Sequence, residues 1–158
     1  MMQLTNLQDY FEYFEQLASQ AAFIDFFAFT KEEFDKKSSH KGRGGWCMIL
    51  EPYDAGIKDN GADSVLSYNT GQFVIAKKKT NEATPAVIEN QAQKLAHKIL
   101  GRMRRDRREG KLATSFENFS LQTINPLGAA GYHGVLVEFN FYYSINQEMK
   151  FNEEDWNL

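Results

Sequence analysis

Apolar residues recur at steps of three and four through the first part of the chain: Leu7, Tyr10, Phe11, Phe14, Leu17, Ala18 and Ala21. That spacing lays one apolar stripe along a helix over residues 6–20, and Thr5 followed by Gln8 has the separation of a capping box. The pattern then changes. In residues 22–29, Phe23, Asp25, Phe27 and Phe29 alternate with Ile24, Phe26 and Ala28, which fits a strand apolar on both faces or a continuation of the helix. Residues 31–45 are polar, charged and glycine-terminated, and predict a loop with room for one helical turn. Residues 46–51 (WCMILE) are a short apolar run stopped by Pro52, a buried strand. The pair Asn60-Gly61 marks a turn within residues 54–63. Residues 64–68 and 72–77, separated by Asn69-Thr70-Gly71, predict a hairpin.

A second helical stripe follows. Thr84 stands as N-cap before Pro85, and Ile88, Ala92, Leu95, Ala96, Ile99 and Met103 repeat on one side up to about Arg108, with Gly110 as the stop. Residues 116–123 predict a strand, and Asn125-Pro126 with the small residues 128–131 a loop. The clearest strand comes after it. Val135, Val137, Phe139, Phe141, Tyr143 and Ile145 point one way, and Leu136, Glu138, Asn140, Tyr142, Ser144 and Asn146 the other. Such alternation puts one face on a core and leaves the other wet or against a partner. The order of elements predicts an α+β fold, a mainly antiparallel sheet with two helices packed on one side, in a single domain over residues 1–158. Residues 146–158 form an acidic tail around Glu153, Glu154 and Asp155, with Trp156 near its end.

Composition narrows the class. A chain of 158 residues with 42% hydrophobic content can bury a sizeable core. Thirteen Phe, seven Tyr and two Trp exceed what such a core needs, so residues 23–29, Leu136, Tyr142 and Trp156 are candidates for an interface as well as for a Phe-rich core. A lone Cys47 excludes an intramolecular disulfide and a Cys-rich zinc site. Residues 1–8 lack the charged and apolar regions of a signal peptide, and no run approaches a membrane span, so the expectation is a soluble intracellular product, or one released from cells without secretion, with no membrane partner; the single cysteine fits a reducing, cytoplasmic origin.

Charge supplies the functional clue. Lys98, Arg102, Arg104, Arg105, Arg107, Arg108 and Lys111 are opposed locally only by Asp106 and Glu109, which leaves this segment at +5 in a chain whose net charge is −3. Three readings stand side by side: cations complementing a helix C-terminus, contact with an anionic surface on a neighbouring subunit, or contact with nucleic-acid phosphates. Lys77, Lys78 and Lys79 at a strand exit read as a solvated edge, or as an extension of the basic surface if the fold brings the two together.

Other motifs carry less. Residues 40–45 (HKGRGG) lack the spacing and the Ser or Thr of a phosphate-binding loop, and residues 128–131 (GAAG) match a GXXG loop in letters but precede a strand. His40, His97 and His133 are far apart, and the acidic stretch beginning at Asp59 lacks the glutamate of a calcium loop. No catalytic, cofactor-binding or metal-ligating set is predicted, and an enzyme is not expected. Cys47 reads as a small core residue.

The phrases WCMILEP (residues 46–52), KILGRMRRD (98–106) and GVLVEFNF (134–141), in the order helix, strand block, long helix ending in arginines, closing strands, give a layout similar to that of bacteriophage tail-terminator and tail-completion (head–tail joining) proteins over residues 5–146. The resemblance implies a structural subunit of a virion that forms a homo-oligomeric ring, commonly a hexamer, and contacts tail-tube and neck proteins with DNA in the lumen. The segment Arg102, Arg104, Arg105, Arg107, Arg108 and Lys111 would then face a neighbour or the lumen, with Glu153, Glu154 and Asp155 as its acidic counterpart. The alternative is a nucleic-acid-binding accessory protein that uses the same basic helix end, non-specifically, on phosphates.

Overall fold

The computed structural model describes residues 1–40, 44–128 and 131–157. These residues build one compact α+β domain. Three helices, α1 (Leu7–Gln20), α2 (Thr30–Ser38) and α3 (Pro85–Arg108), accompany five strands, β1 (Ile24–Phe29), β2 (Trp46–Asp59), β3 (Val65–Lys78), β4 (Phe116–Thr123) and β5 (Tyr132–Ser144). The strands form a mixed sheet in the order β1-β2-β3-β5-β4. Only β1 runs parallel to its neighbour; the other pairings are antiparallel.

The stripe on α1 does what its spacing predicts. Tyr10, Phe14 and Leu17 are buried against the sheet beside Met48, Leu50, Phe73 and Ile75. The N-cap, however, is Asn6, whose side chain accepts from the backbone N–H of Asp9 at 2.9 Å; Thr5 instead donates its hydroxyl to the Asp9 carboxylate at 2.9 Å. On α3, Ile88, Ala92, Ala96, Ile99 and Met103 are buried, and the face from Ala92 to Met103 joins the same core as α1. Pro85 opens the helix, while the Thr84 hydroxyl makes no capping bond. These two helices therefore share one face of the sheet.

The third helix corrects the predicted loop over residues 31–45. α2 covers the opposite face, where Phe34 packs with Phe26, Ala28, Cys47, Ile49, Val74, Ala76 and Tyr132. It begins at Thr30, whose φ of +75° is a left-handed conformation that costs a branched residue about 1–3 kcal/mol. Glu33 holds this turn by accepting from the backbone N–H of Phe29 at 2.8 Å, and Lys37 reaches back to the carbonyl of Phe27 at 2.7 Å. Because helices lie on both faces, β1 is apolar on both sides, which resolves the stretch in favour of a strand over residues 24–29, with residues 22–23 in the turn before it.

Two strands are longer than the sequence pattern predicts. Pro52 does not end β2. It sits in a bulge between Glu51 and Asp54, where one extra residue is absorbed and no ladder N–H is required of the proline. Asn69-Thr70-Gly71 is not a turn but the middle of β3; the hairpin turn lies at residues 60–64, where Asn60 accepts from the backbone N–H groups of Ala62 and Ser64. Asn69, fully buried, accepts from the Ser67 hydroxyl at 2.8 Å. Gly71 leaves the space filled by Phe139 and the Tyr10 hydroxyl.

On β5 the alternation holds as predicted. Val135, Val137, Phe139 and Phe141 are buried in the core, whereas Glu138, Tyr142 and Ser144 are exposed. Most of the aromatic surplus is core. Phe14, Phe73, Phe116, Phe139 and Phe141 form a chain of ring contacts with Tyr10, whose ring stacks on Phe141 at 5.7 Å. Phe23, Phe27 and Phe29 also pack on this cluster, and Leu136 packs on the opposite one. Tyr142 and Trp156 remain exposed. No helix among the described residues is long and apolar enough to cross a membrane.

Gly134 marks the tightest point of the sheet. A Cβ there would sit 1.9 Å from the carbonyl oxygen of Ile75 and 2.7 Å from the Cα of Ala76, both backbone atoms of the neighbouring strand. Gly134→Ala should therefore lower unfolding stability by about 3 kcal/mol, the upper end of overpacking costs, measured by chemical denaturation. A loss below about 0.5 kcal/mol would contradict this register of β3 on β5.

Candidate functional site: an arginine groove at the end of α3

The basic segment is not one uniform patch. α3 ends in the run Arg102 to Arg108, and carboxylates one turn further on neutralise part of it. Arg102 donates its Nε–H to Asp106 at 2.7 Å and a second N–H to Gln20 of α1 at 2.8 Å. Arg105 pairs with Glu109 at 2.6 Å, and Lys111 with the same carboxylate at 2.8 Å. Hydrogen bonds from Lys111 and Arg105 bring the Glu109 carboxyl down to about 2, so both pairs persist throughout the neutral range. They are given up only as pH falls below the ordinary carboxylate value toward that figure. Lys98 lies over the ring of Phe23 at 5.8 Å.

Asp106 has a different role. It is 3% exposed and accepts from Tyr13 of α1 at 3.2 Å as well as from Arg102. Burial, reinforced by the Asp106 charge, pushes the Tyr13 hydroxyl far above its ordinary value, so it remains a donor. The backbone carbonyl of Asp106 accepts from Lys111 at 2.9 Å and Leu112 at 3.1 Å, which turns the chain sharply after α3. The segment that follows is tied to the N-terminal residues: Met2 exchanges backbone bonds with Lys111 and Ala113, and Leu4 donates to the Thr114 hydroxyl at 2.8 Å. The end of α3 is thereby fixed in place.

What remains is a set of three arginines, Arg104, Arg107 and Arg108, which form no ion pair with a carboxylate among the described residues. They border a groove of about 240 Å³ between α3 and β4, together with Met103, Ser115, Phe116 and Phe119. Arg107 is oriented by donating its Nε–H to the Ser115 hydroxyl at 3.0 Å. Phe119 reaches the groove because β4 carries a bulge between Glu117 and Ser120. Within it Asn118 adopts a φ of +54°, a region its short polar side chain tolerates, and donates to Asn140 at 3.2 Å. The Phe119 ring lies 6.1 Å from Phe139 and is 37% exposed. A second depression, bordered by Gly101, Arg104, Arg105 and Arg108, adjoins the groove. The arrangement is an apolar floor with a cationic wall, suited to a segment carrying both aromatic and acidic side chains.

Of the predicted residues, Arg104, Arg107 and Arg108 come together here, whereas Arg102, Arg105 and Lys111 are held by carboxylates. The sequence reading missed Met103, Ser115, Phe116 and Phe119. Lys77, Lys78 and Lys79 do not extend the patch: Lys77 and Lys78 pair with His133 and Tyr132 at the far end of the sheet from Phe116, which pairs with Phe141. A helix of 24 residues, about 36 Å long, joins the two ends. Glu153, Glu154 and Asp155 form a single exposed 3-10 turn capped by Asn152, with Phe151 and Trp156 stacked at 6.2 Å on either side of it.

Of the other motifs, residues 41–43 and 129–130 lie outside the described residues, so the stretches 40–45 and 128–131 are described only in part. Among the described residues no group of three His, Cys, Asp or Glu side chains is placed to hold a metal ion. Burial pushes the Cys47 thiol up to about 12, which keeps it protonated at neutral pH. No protein-family model matches the chain, and comparison with the curated proteins finds no match.

Replacing Asp106 by Ala would leave Tyr13 with a buried hydroxyl lacking its acceptor and Arg102 without its carboxylate. Asp106→Ala should cost about 2–3 kcal/mol in unfolding stability, discounted because Arg102 is partly solvated. Arg104→Ala should change it by under about 0.5 kcal/mol. Equal effects in denaturant titrations would contradict the division of the segment into anchored and free cations.

Proposed function

We propose that the protein is a structural assembly subunit of the tail-terminator or neck type, which closes into an oligomeric ring at the end of a phage or phage-like tail tube. The observation that carries this reading is the retained charge polarity. After internal pairing is accounted for, three arginines border one groove, while three exposed carboxylates and two exposed aromatics lie together in residues 151–156. A positive surface at one place and a negative one at another make a head-to-tail contact, and such contacts generate rings when the rotation closes. The layout of the chain, with α3 ending in arginines before the closing strands β4 and β5, supports the same reading through its similarity to tail-terminator and tail-completion proteins. In this reading the protein resides in the virion after assembly in the host cytoplasm, its partners are tail-tube and neck proteins, and it forms a homo-oligomeric ring, commonly a hexamer in the proteins it resembles. Catalysis, a cofactor and a metal form no part of it.

The nucleic-acid alternative rests on the same arginines. Two features favour a protein partner. Arg102, Arg105 and Lys111 already hold carboxylates, which shortens the cationic surface, and the remaining guanidiniums border apolar side chains rather than a polar track for phosphates.

Size-exclusion chromatography with light scattering, followed by negative-stain imaging, tests the proposal. The expected result is a defined oligomer, ring-shaped in projection, that binds the end of isolated tail tubes. A monomer at high concentration with no affinity for tubes would overturn it.

A further inference from the structure

We infer that the groove between α3 and β4 is the docking site for the acidic, aromatic segment 146–158 of a second copy of this chain. The inference rests on the reading of the protein as a self-assembling subunit and adds to it the surface and the residues that make the contact.

The two surfaces match in kind and number. The groove has three arginines that pair with no carboxylate among the described residues, Arg104, Arg107 and Arg108, around an apolar floor of Met103, Phe116 and Phe119. The segment offers Glu153, Glu154 and Asp155 on one turn, flanked by Phe151 and Trp156, which are 65% and 60% exposed. An aromatic on the floor would bury apolar area that water now covers. The carboxylates would then meet guanidiniums at the rim, where planar, bidentate pairing is available. Arg107 is already turned by Ser115, so part of its ordering entropy is spent before the partner arrives.

The root of the segment is tied on the side of β5 away from its own groove. The backbone N–H of Ile145 donates to Val65 at 3.0 Å, and Asn146 accepts from Val65 at 2.6 Å and donates to the carbonyl of Asp63 at 3.1 Å. These bonds bind the segment to the β2–β3 hairpin, on the flank of β5 opposite β4. Residues 147–157 do not border the groove. A neighbouring copy can present the same segment without breaking those bonds, and the contact so made is head-to-tail.

Complementation tests this directly. Two full-length variants are made, a groove variant (Arg104→Glu with Arg108→Glu) and a segment variant (Phe151→Ala with Trp156→Ala). Each is expected to lose the oligomer seen for the unaltered protein, and an equal mixture is expected to form a one-to-one dimer, because one functional groove and one functional segment remain. That recovery also shows that both variants fold. In parallel, a fluorescent peptide of residues 147–158 is titrated against the segment variant by anisotropy. Binding should weaken at least about tenfold when Arg104→Glu and Arg108→Glu are added, and should fall with salt.

If the unaltered protein is oligomeric but both variants keep its mass, or the mixture yields no dimer, the groove inference fails while the assembly reading stands. If the unaltered protein is monomeric at all concentrations, the assembly reading fails and the docking of a second copy fails with it. Absence of peptide binding, with a single-stranded oligonucleotide bound through the same arginines, overturns the inference in favour of nucleic acid.

Discussion

Asp106 is the one buried charged side chain among the described residues, and the arrangement of the arginine surface at the end of α3 depends on it. A carboxylate withdrawn from water is tolerated only when its oxygens are occupied, and here Tyr13 and Arg102 occupy them. The result is a cross-tie between α1 and the last turns of α3. Its backbone carbonyl adds the sharp turn into residues 111–114, and the N-terminal residues clamp that turn from outside. With the helix end held from two sides, the arginines on its remaining side have a defined position relative to β4.

The same tie explains why a run of like charges is stable at this helix end. Cations there favour the helix dipole, but only by tenths of a kcal/mol each, and their mutual repulsion works against it. Carboxylates four residues after Arg102 and Arg105 remove part of that repulsion. The charge left over is concentrated on Arg104, Arg107 and Arg108, beside apolar side chains that the β4 bulge turns toward them. Surface charge alone would make a weak, salt-screened contact. Coupled to an apolar floor, it becomes a surface with shape and register.

Much of the fold was legible in the chain because α1, α3 and β5 each bury one face and expose the other. Where that asymmetry fails, the sequence misled. α2 buries a single side chain, Phe34, and so has no apolar stripe; its signal was the i,i+4 pairs Glu32–Lys36 and Glu33–Lys37. In the middle of β3, between β2 and β5, the polar and glycine residues 69–71 resemble a turn in sequence. Asn69 is buried there only because Ser67 satisfies it, and Gly71 because Phe139 and Tyr10 fill its space. The arginines of the site were legible from composition, and the spacing of Asp106 and Glu109 held the clue to which were free. Phe116 and Phe119 were not legible as groove residues, since their position depends on a bulge in β4 and on the sharp turn after α3 that brings β4 back beside the helix end.

The most direct test of the central claim, that the arginine groove faces the acidic segment of another copy, is an inter-chain crosslink. One chain carries Ser115→Cys in the groove and the other Asn157→Cys beside Trp156; the buried Cys47 stays out of reach of mild oxidants. Mixed in equal amounts, the two chains should form a mixed disulfide that an excess of the 147–158 peptide suppresses and that Arg104→Glu in the first chain abolishes. An oligomer that forms without this disulfide, or a disulfide indifferent to both the peptide and Arg104→Glu, would contradict the account.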